Sequence, residues 1–399
     1  MMFFRVGKAA SQQVEVLPAQ AQEAIQKRPR LLFVDNLRVA LTILVVIHHL
    51  AITYGGVGYW YYKEATTDQV TFDALSFLII INQAFFMSLF FLISAYFMPE
   101  SYDRKGMLLF LRDRLLRLGI PLVIYDVLLH PFTLYIGEGV PISFGQFLKL
   151  YLLHFPGIGN GPLWFILVLL MFTIPYLLWR RLTRKRPSSF ASNTTQPTLA
   201  LMLLFTLALA ITTFLVWIWL PMSQPYQTSV VVLELPFFAQ YSGLFIIGLI
   251  AYRRNWLIQI SPLTGKVGLG VALGAIIAYP CLILPMNPSE RLFLLGGLHW
   301  QAFIQALWES TVCVGMCVGL IVLFRQRLNQ QGRWASFLSA QAYAVYVIHA
   351  PIIVCLAIAL RGIHLYPLLK FALAVVIAVP LCFLCGYLIR KLPLARKIF

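Results

Sequence analysis

An arginine and a histidine in the first apolar segment have the types and spacing that proton transfer inside a membrane would need. Arg38 begins the segment and His49 follows eleven residues later. At about 100° per helical residue, both side chains fall on nearly one face, about 16 Å apart along the axis. Asp35 precedes Arg38 by one turn, so we expect these two to pair. A neutral imidazole at depth can accept a hydroxyl proton, which is general-base chemistry.

Three further residues of the first segment, Thr42, Val45 and His48, refine this interpretation. Thr42 and Val45 share the face of Arg38 and His49, whereas His48 is rotated by about 80–100° onto another face. The structural alternative is that Arg38 follows the charge rule for membrane proteins and that His49 only bonds across helices.

The composition of the chain requires that the element carrying these residues lies in a lipid bilayer. Of the 399 residues, 60% are hydrophobic and 11% are charged, and the mean hydropathy is +0.81. Soluble domains carry about 25% charged residues, so a soluble protein of this composition could not cover its own surface. The net charge of +17 comes from short basic clusters between apolar runs. That pattern favours a membrane topology signal and disfavours nucleic-acid binding.

The apolar runs predict a polytopic, all-α membrane bundle of about ten transmembrane helices. Each run can cross about 30 Å of hydrocarbon, which takes about 20 helical residues. The predicted spans are 33–54, 73–98, 115–136, 161–179, 198–220, 230–252, 267–286, 298–324, 337–360 and 365–390.

The basic residues predict the orientation of this bundle. With ten spans and the N-terminus inside, all but five of the 31 lysines and arginines fall on the inner side. The N- and C-termini are therefore predicted to be cytoplasmic. Residues 1–30 are predicted to be a cytoplasmic lead, residues 31–399 a single transmembrane domain, and 144–155 an amphipathic helix in an outer loop.

Further ionisable residues inside the predicted spans are candidates for function, because such groups are costly in hydrocarbon. His349 is predicted to lie about as deep in the ninth span as His49 does in the first. Asp126 and His130 are four residues apart in the third span and could pair, and Glu309 must be protonated or paired. Packing between helices explains His349 equally well. We expect no metal site.

Five stretches in this chain resemble the acyltransferase family 3 membrane proteins, and they occur in the family's order. The first is the arginine-x10-histidine signature, although Val39 replaces its usual glycine. Ala95 and Ala342 are further departures from the usual glycine and serine. The other stretches are residues 90–95 (FFLISA), Arg114 and Arg117 with Pro121, residues 162–165 (PLWF) including Trp164, and Tyr343, Tyr346 and His349.

The resemblance implies transfer of an acyl group, acetyl or succinyl, from cytoplasmic acyl-CoA to a hydroxyl of a cell-surface or lipid-linked carbohydrate. It implies a multi-pass protein of the plasma (inner) membrane with acyl-CoA, favouring acetyl-CoA, as a co-substrate and no permanently bound cofactor. His49 and Arg38 would be catalytic. Arg114, Arg117 and Arg38 would bind the phosphates of acyl-CoA, because guanidinium groups suit phosphate. Tyr343, Tyr346, His349 and Trp164 would line the acceptor side or support the fold.

Two alternatives remain open at this point. A proton-coupled transporter or flippase also uses deep histidine, aspartate and glutamate residues. The aromatic run at residues 59–62 is predicted first as an interfacial belt and second as a platform for a sugar ring.

Overall fold

The computed structural model describes residues 30–64, 68–183, 196–223, 233–393 and 395–398. It is 81% helical, without strands in those ranges, and ten helices are long and apolar enough to cross a membrane. This confirms the predicted fold class and number of spans. The spans are α1 (Leu32–Thr53), α2 (Gln69–Tyr96), α3 (Met98–Glu138), α4 (Gly161–Leu182), α5 (Leu199–Trp219), α6 (Leu235–Arg253), α7 (Pro262–Ile283), α8 (Trp300–Arg327), α9 (Arg333–Ala359) and α10 (Pro367–Arg390).

The helix α1 lies among four other spans. It packs against α2, α8, α9 and α10, and most of its residues are buried. A helix that is apolar around its whole circumference is normally enclosed by other helices, as α1 is. By contrast, α5 and α7 bury few of their residues and leave most of their surface for lipid. The first span is therefore in a position to present side chains to an interior site.

The helix α3 is irregular, and its irregularities have local causes. Gly106 has φ 73° and ψ 172°, which interrupts the helix within Met98–Arg114. Two π-helical turns follow, Leu115–Gly119 and Tyr125–Leu129. Pro121 and Pro131 lie just beyond these turns and have no backbone N–H, so regular α-helical bonding fails there. These wider turns change which side chains of α3 share a face.

A short helix, Phe144–Leu153, connects α3 to α4 and agrees with the amphipathic helix predicted at 144–155. Ser143 caps it by accepting a hydrogen bond from the backbone N–H of Gln146 at 3.3 Å. Tyr151 faces the protein and is buried, whereas Leu150 and Leu152 are exposed. Residues 1–29 of the predicted lead lie outside the described residues, so the lead and its cytoplasmic location stay predictions.

Candidate active site

Two histidines from distant parts of the chain meet inside the bundle. His49 on α1 and His349 on α9 are joined by a hydrogen bond of 3.1 Å between Nδ1 of His49 and Nε2 of His349. His349 is fully buried and His49 is half-buried. The contact exists because α1 and α9 pack against each other. His49 therefore faces the protein interior and has a partner there.

The hydrogen bonds determine which ring nitrogen of each histidine carries the proton. Nδ1 of His349 lies 2.6 Å from the backbone oxygen of Tyr346, which can only accept, so this nitrogen donates. In a neutral His349 the other nitrogen, Nε2, must then accept from Nδ1–H of His49. Nε2 of His49 is consequently left with a free lone pair. Nε2 is therefore the nitrogen of the His49 ring that can accept a proton, and His349 fixes this tautomer.

Trp60 covers the ring of His49. Their ring centroids are 4.0 Å apart with an interplanar angle of 20°, and Trp60 is buried. Its Nε1 is buried without a hydrogen-bond partner among the described residues. The prediction of an interfacial belt is thus wrong for Trp60, although Tyr59 is almost fully exposed. The sequence feature that could have predicted this return of the chain over α1 is the glycine-rich run directly after it.

Glycines allow the loop after α1 to turn back over the helix. Gly55 and Gly58 have φ of 123° and 125°, which residues with a Cβ rarely adopt. A Cβ at Gly56 would lie 2.9 Å from the backbone oxygen of Ala51. Lys63 then donates to the backbone oxygens of Gly56 and Gly58 at 3.0 and 3.2 Å, and burial lowers the pKa of its ammonium group. The loop is thereby held in the conformation that places Trp60.

Two side-chain contacts fasten the same loop to other spans. Glu64 forms an ion pair of 2.5 Å with Lys370 of α10, whose side chain is 3% exposed. The hydroxyl of Tyr61 is 2.9 Å from that of Tyr125 on α3. Burial raises the pKa of Tyr61, so its hydroxyl stays neutral and can donate. We call residues 54–64 the covering loop.

Arg38 lies at the opposite end of α1 from the histidine pair. Its Nη1 is 3.5 Å from Oδ1 of Asp35, which confirms the predicted pairing. Its guanidinium carbon lies 4.8 Å from the ring centroid of Phe97, at the junction of α2 and α3. A rise of about 16 Å separates Arg38 from His49, so the two cannot bind the same atom of a substrate.

The tyrosines of the ninth span bond to backbone oxygens of other spans. Tyr343 donates to the oxygen of Arg117 at 2.5 Å. Pro121 follows Arg117 by four residues and has no N–H, so it cannot donate to this oxygen as the corresponding residue of a regular α-helix would. Tyr346 donates to the oxygen of Pro162 at the start of α4. These hydroxyls brace α9 against α3 and α4, which is the structural role kept open for them.

Trp164 also has an interior contact and a partner outside α4. Its ring centroid lies 5.2 Å from that of Tyr241 on α6, and the two rings are stacked. The side chain is half-buried.

The predicted pairing of Asp126 with His130 is wrong. The carboxylate of Asp126 accepts from the backbone N–H groups of Gly159 and Asn160 at 2.9 and 3.0 Å. Nδ1 of His130 is 3.1 Å from the hydroxyl of Tyr151. The cause is the π-helical turn Tyr125–Leu129, which breaks the four-residue repeat assumed for a regular helix.

Glu309 accepts a hydrogen bond from a neutral amide and lies in a polar chain between spans. It is buried on α8, and its Oε1 accepts from Nε2 of Gln240 on α6 at 3.1 Å. Ser88 on α2 donates to the other end of the same amide at 3.3 Å. The chain links three spans, and within the described residues none of its members is hydrogen-bonded to His49 or His349. Depth within a span therefore does not place Glu309 at the histidine pair.

Arg114 and Arg117 have different surroundings. Arg114 is half-buried, with its guanidinium carbon 5.2 Å from the ring centroid of Phe110. Arg117 is exposed. The π-helical turn begins at Leu115, between them, so the shared α-helical face assumed from the sequence is lost. Of the part of the chain described, no three His, Cys, Asp or Glu residues form a group that could hold a metal.

Comparison with family models matches residues 31–387 to acyltransferase family 3, under the description acyltransferase domain. The chain belongs to acyltransferase family 3. No curated protein and no solved structure matches it. The protein is therefore a membrane acyltransferase, and the family match covers the whole site.

The acyltransferase family 3 stretches found in the sequence contact one another in the fold. The signature and the last stretch meet through His49 and His349. The last stretch meets the third and fourth through the two tyrosine hydroxyls. The second and fourth meet where the rings of Phe91 and Phe165 lie 4.6 Å apart. Five stretches that are separate in sequence thus form one continuous region around the histidine pair.

Proposed function

We infer that this protein is an O-acyltransferase that moves an acyl group from cytoplasmic acyl-CoA to a hydroxyl of a cell-surface or lipid-linked carbohydrate. The observation that carries the proposal is the ring of His49, half-buried and oriented by His349 so that Nε2 has a free lone pair. A base of this kind is what acyl transfer to a hydroxyl requires.

The proposed reaction balances through a single proton carried by His49. The acceptor hydroxyl attacks the thioester carbon, and its proton passes to Nε2 of His49. The carbon–sulfur bond then breaks, and the sulfur leaves as the CoA thiolate. The His49 imidazolium returns the proton to that sulfur, giving free CoA and an acyl ester. His49 thus ends the cycle in its starting form.

His349 and Trp60 support the base in different ways. His349 accepts from Nδ1–H of His49, which would stabilise the positive charge that develops on the ring during attack. Trp60 holds the ring plane by stacking and excludes water from that side. The unpartnered Nε1–H of Trp60 supplies a donor beside the base for an oxygen of the substrate.

The charge distribution supports acyl-CoA as a donor that is bound from the cytoplasmic side of the membrane. Arg38, with Arg114 and Arg117, lies on the side that the basic residues predict to be cytoplasmic, where acyl-CoA is available. Guanidinium groups there suit the phosphates of acetyl-CoA. We place the protein in the plasma membrane, with a glycan or glycolipid of the cell envelope as the acceptor.

The proposal is tested by mass spectrometry of surface glycans and glycolipids from cells with wild-type protein, His49→Ala or no protein. Wild type should add the mass of one acyl unit to an acceptor. His49→Ala should lower the rate by about 10²–10⁴-fold, the usual contribution of a general base. His154→Ala, at an exposed histidine of the connecting helix, is the matched control and should retain activity.

Two outcomes would contradict the proposal. Acylation by His49→Ala at the wild-type rate, at equal protein in the membrane, would exclude His49 as the base. Transport of a glycolipid without any acylated product would favour the transporter alternative instead.

A further inference from the structure

Three arginines from separate spans converge on one tyrosine at the Arg38 end of the bundle. Arg180 ends α4, Arg253 ends α6, and Arg114 lies in α3. Tyr176 is buried one helical turn before Arg180. Its ring centroid lies 5.9, 6.1 and 6.2 Å from those of Tyr102, Trp179 and Phe110, the rings that Arg180, Arg253 and Arg114 contact. We call Arg114, Arg180, Arg253 and Tyr176 the arginine cluster. The family resemblance assigned no role to Arg180, Arg253 or Tyr176.

Each guanidinium of the arginine cluster lies over an aromatic ring. Stacking of this kind covers a face of the planar group and leaves its N–H edge free to bind an anion. The distances from guanidinium carbon to ring centroid are 4.7 Å for Arg180 on Tyr102, 5.3 Å for Arg253 on Trp179, and 5.2 Å for Arg114 on Phe110.

The arginine cluster has unused donors and too little negative charge. Nη1 of Arg180, Nε of Arg253 and the hydroxyl of Tyr176 are buried without hydrogen-bond partners within the described ranges. Asp103 is the one carboxylate there that forms a salt bridge with the cluster, through Arg180. Buried donors without partners are costly, so three guanidiniums beside one carboxylate point to an anionic ligand.

A row of aromatic rings leads from Arg38 to the residue that precedes Arg253. The guanidinium of Arg38 lies over Phe97, and the rings of Phe97 and Tyr96 are 5.2 Å apart. Tyr96 in turn contacts Tyr252 at 5.6 Å, next to Arg253 in sequence. An anion at the cluster is therefore at the same end of the bundle as the start of α1.

We propose that the arginine cluster binds the phosphates of the 3′-phosphoadenosine diphosphate moiety of the donor, with the exposed ring of Trp179 beside it available to stack on adenine. This rests on the proposed function, because it takes acyl-CoA as the donor. Guanidinium edges bind phosphate oxygens in bidentate pairs. The uncharged pantetheine arm then runs along α1 from the phosphates to the thioester at His49.

The test compares two donors that differ only in this moiety, acyl-CoA and acyl-pantetheine, on purified full-length protein in nanodiscs of neutral lipid. In Arg253→Gln, the ratio of kcat/KM for acyl-CoA to that for acyl-pantetheine should fall about tenfold or more, as for loss of a charged hydrogen bond. Arg253→Lys keeps the charge but loses the bidentate donor geometry of guanidinium, so its ratio should fall by less. Arg181→Gln, at the exposed neighbour of Arg180, is the matched control and should leave the ratio unchanged.

A second measurement separates this inference from the proposed function. Adenosine 3′,5′-diphosphate should bind the wild-type protein in calorimetry and should bind Arg253→Gln and Arg114→Gln at least tenfold more weakly, whether or not acyl transfer occurs. Equal binding by wild type and both variants overturns the inference even if transfer is normal. If kcat/KM of Arg253→Gln falls equally for acyl-CoA and acyl-pantetheine, the role of Arg253 is structural and the inference is also overturned.

The phosphate of a lipid headgroup is the competing ligand for the arginine cluster. If anionic lipid abolishes the diphosphate binding that wild type shows in neutral nanodiscs, the arginine cluster holds a lipid headgroup and the proposal is wrong. Absence of binding in neutral nanodiscs also overturns it. Binding in neutral nanodiscs that survives anionic lipid supports it.

Discussion

At the scale of single residues, the direction of one hydrogen bond decides what His49 can do. The backbone oxygen of Tyr346 cannot donate, so the proton positions on His349 and then His49 follow in turn. A lone histidine on an apolar helix has no such constraint and is often only a packing residue. The bond to His349 therefore favours the interpretation of His49 as an oriented base over that of a polar packing group.

His349→Ala should reduce kcat by about 10–100-fold with little change in KM for the donor, because His49 loses its acceptor and its fixed tautomer. His349→Gln offers an amide oxygen at a similar distance and should recover part of the loss. The measurement is steady-state acyl transfer by both variants, with folding checked by size-exclusion chromatography. Equal activity of His349→Ala and wild type would remove the orienting role.

At the scale of elements, the covering loop determines how the site is closed. Its glycines allow the reversal, Lys63 binds its backbone, and Glu64 ties it to α10. Lys370 is almost completely buried, so its charge depends on this one carboxylate and on the carbonyl of Arg361 at 3.5 Å. The loop is thus coupled to α10.

Lys370→Met should loosen the covering loop and lower kcat, because Trp60 would no longer be held on His49. Loss of the buried partner costs about 1–3 kcal/mol, so we expect a lower melting temperature as well. Lys149→Met, at an exposed lysine of the connecting helix, is the matched control. The check is kcat together with protection of the loop from limited proteolysis; unchanged protection and kcat would contradict the coupling.

At the scale of the whole molecule, burial separates a central group of spans from a lipid-facing group. The helices α1, α2, α8 and α9 are mostly buried, whereas α5, α7 and α10 expose most of their residues. The histidine pair lies among the central spans, and the polar chain of Glu309 joins two of them to α6. Such a division lets ionisable groups occur at depth without contact with lipid.

The predicted orientation places Ser143 outside the cell and Gln330 inside. Both are exposed, at the start of the helix Phe144–Leu153 and between α8 and α9 respectively. In a variant without native cysteines, an impermeant maleimide on whole cells should label Ser143→Cys and not Gln330→Cys. Labelling of Gln330→Cys should require permeabilised cells. The reverse pattern would invert the topology and move the arginines away from cytoplasmic acyl-CoA.

The irregular helix α3 shows where sequence reasoning failed and why. Its existence and length follow from hydropathy, but the four-residue spacing of Asp126 and His130 predicts a contact only in a regular α-helix. Pro131 removes a backbone donor and a π-helical turn precedes it, so Asp126 binds Gly159 and Asn160 instead. The proline positions can be read from the sequence, whereas the hydrogen-bond partners of Asp126 come from a separate segment of the chain.

The sequence by itself determined the ten spans, the charge asymmetry and the family, because hydropathy, basic clusters and ordered motifs are properties of the chain alone. It also placed Asp35 beside Arg38, since both lie on one helical turn. Only the tertiary structure decided that His49 meets His349 and that Trp60 covers it. Those contacts depend on how α1, α9 and a glycine-rich reversal pack, and packing between helices distant in sequence has no periodic signature within either one.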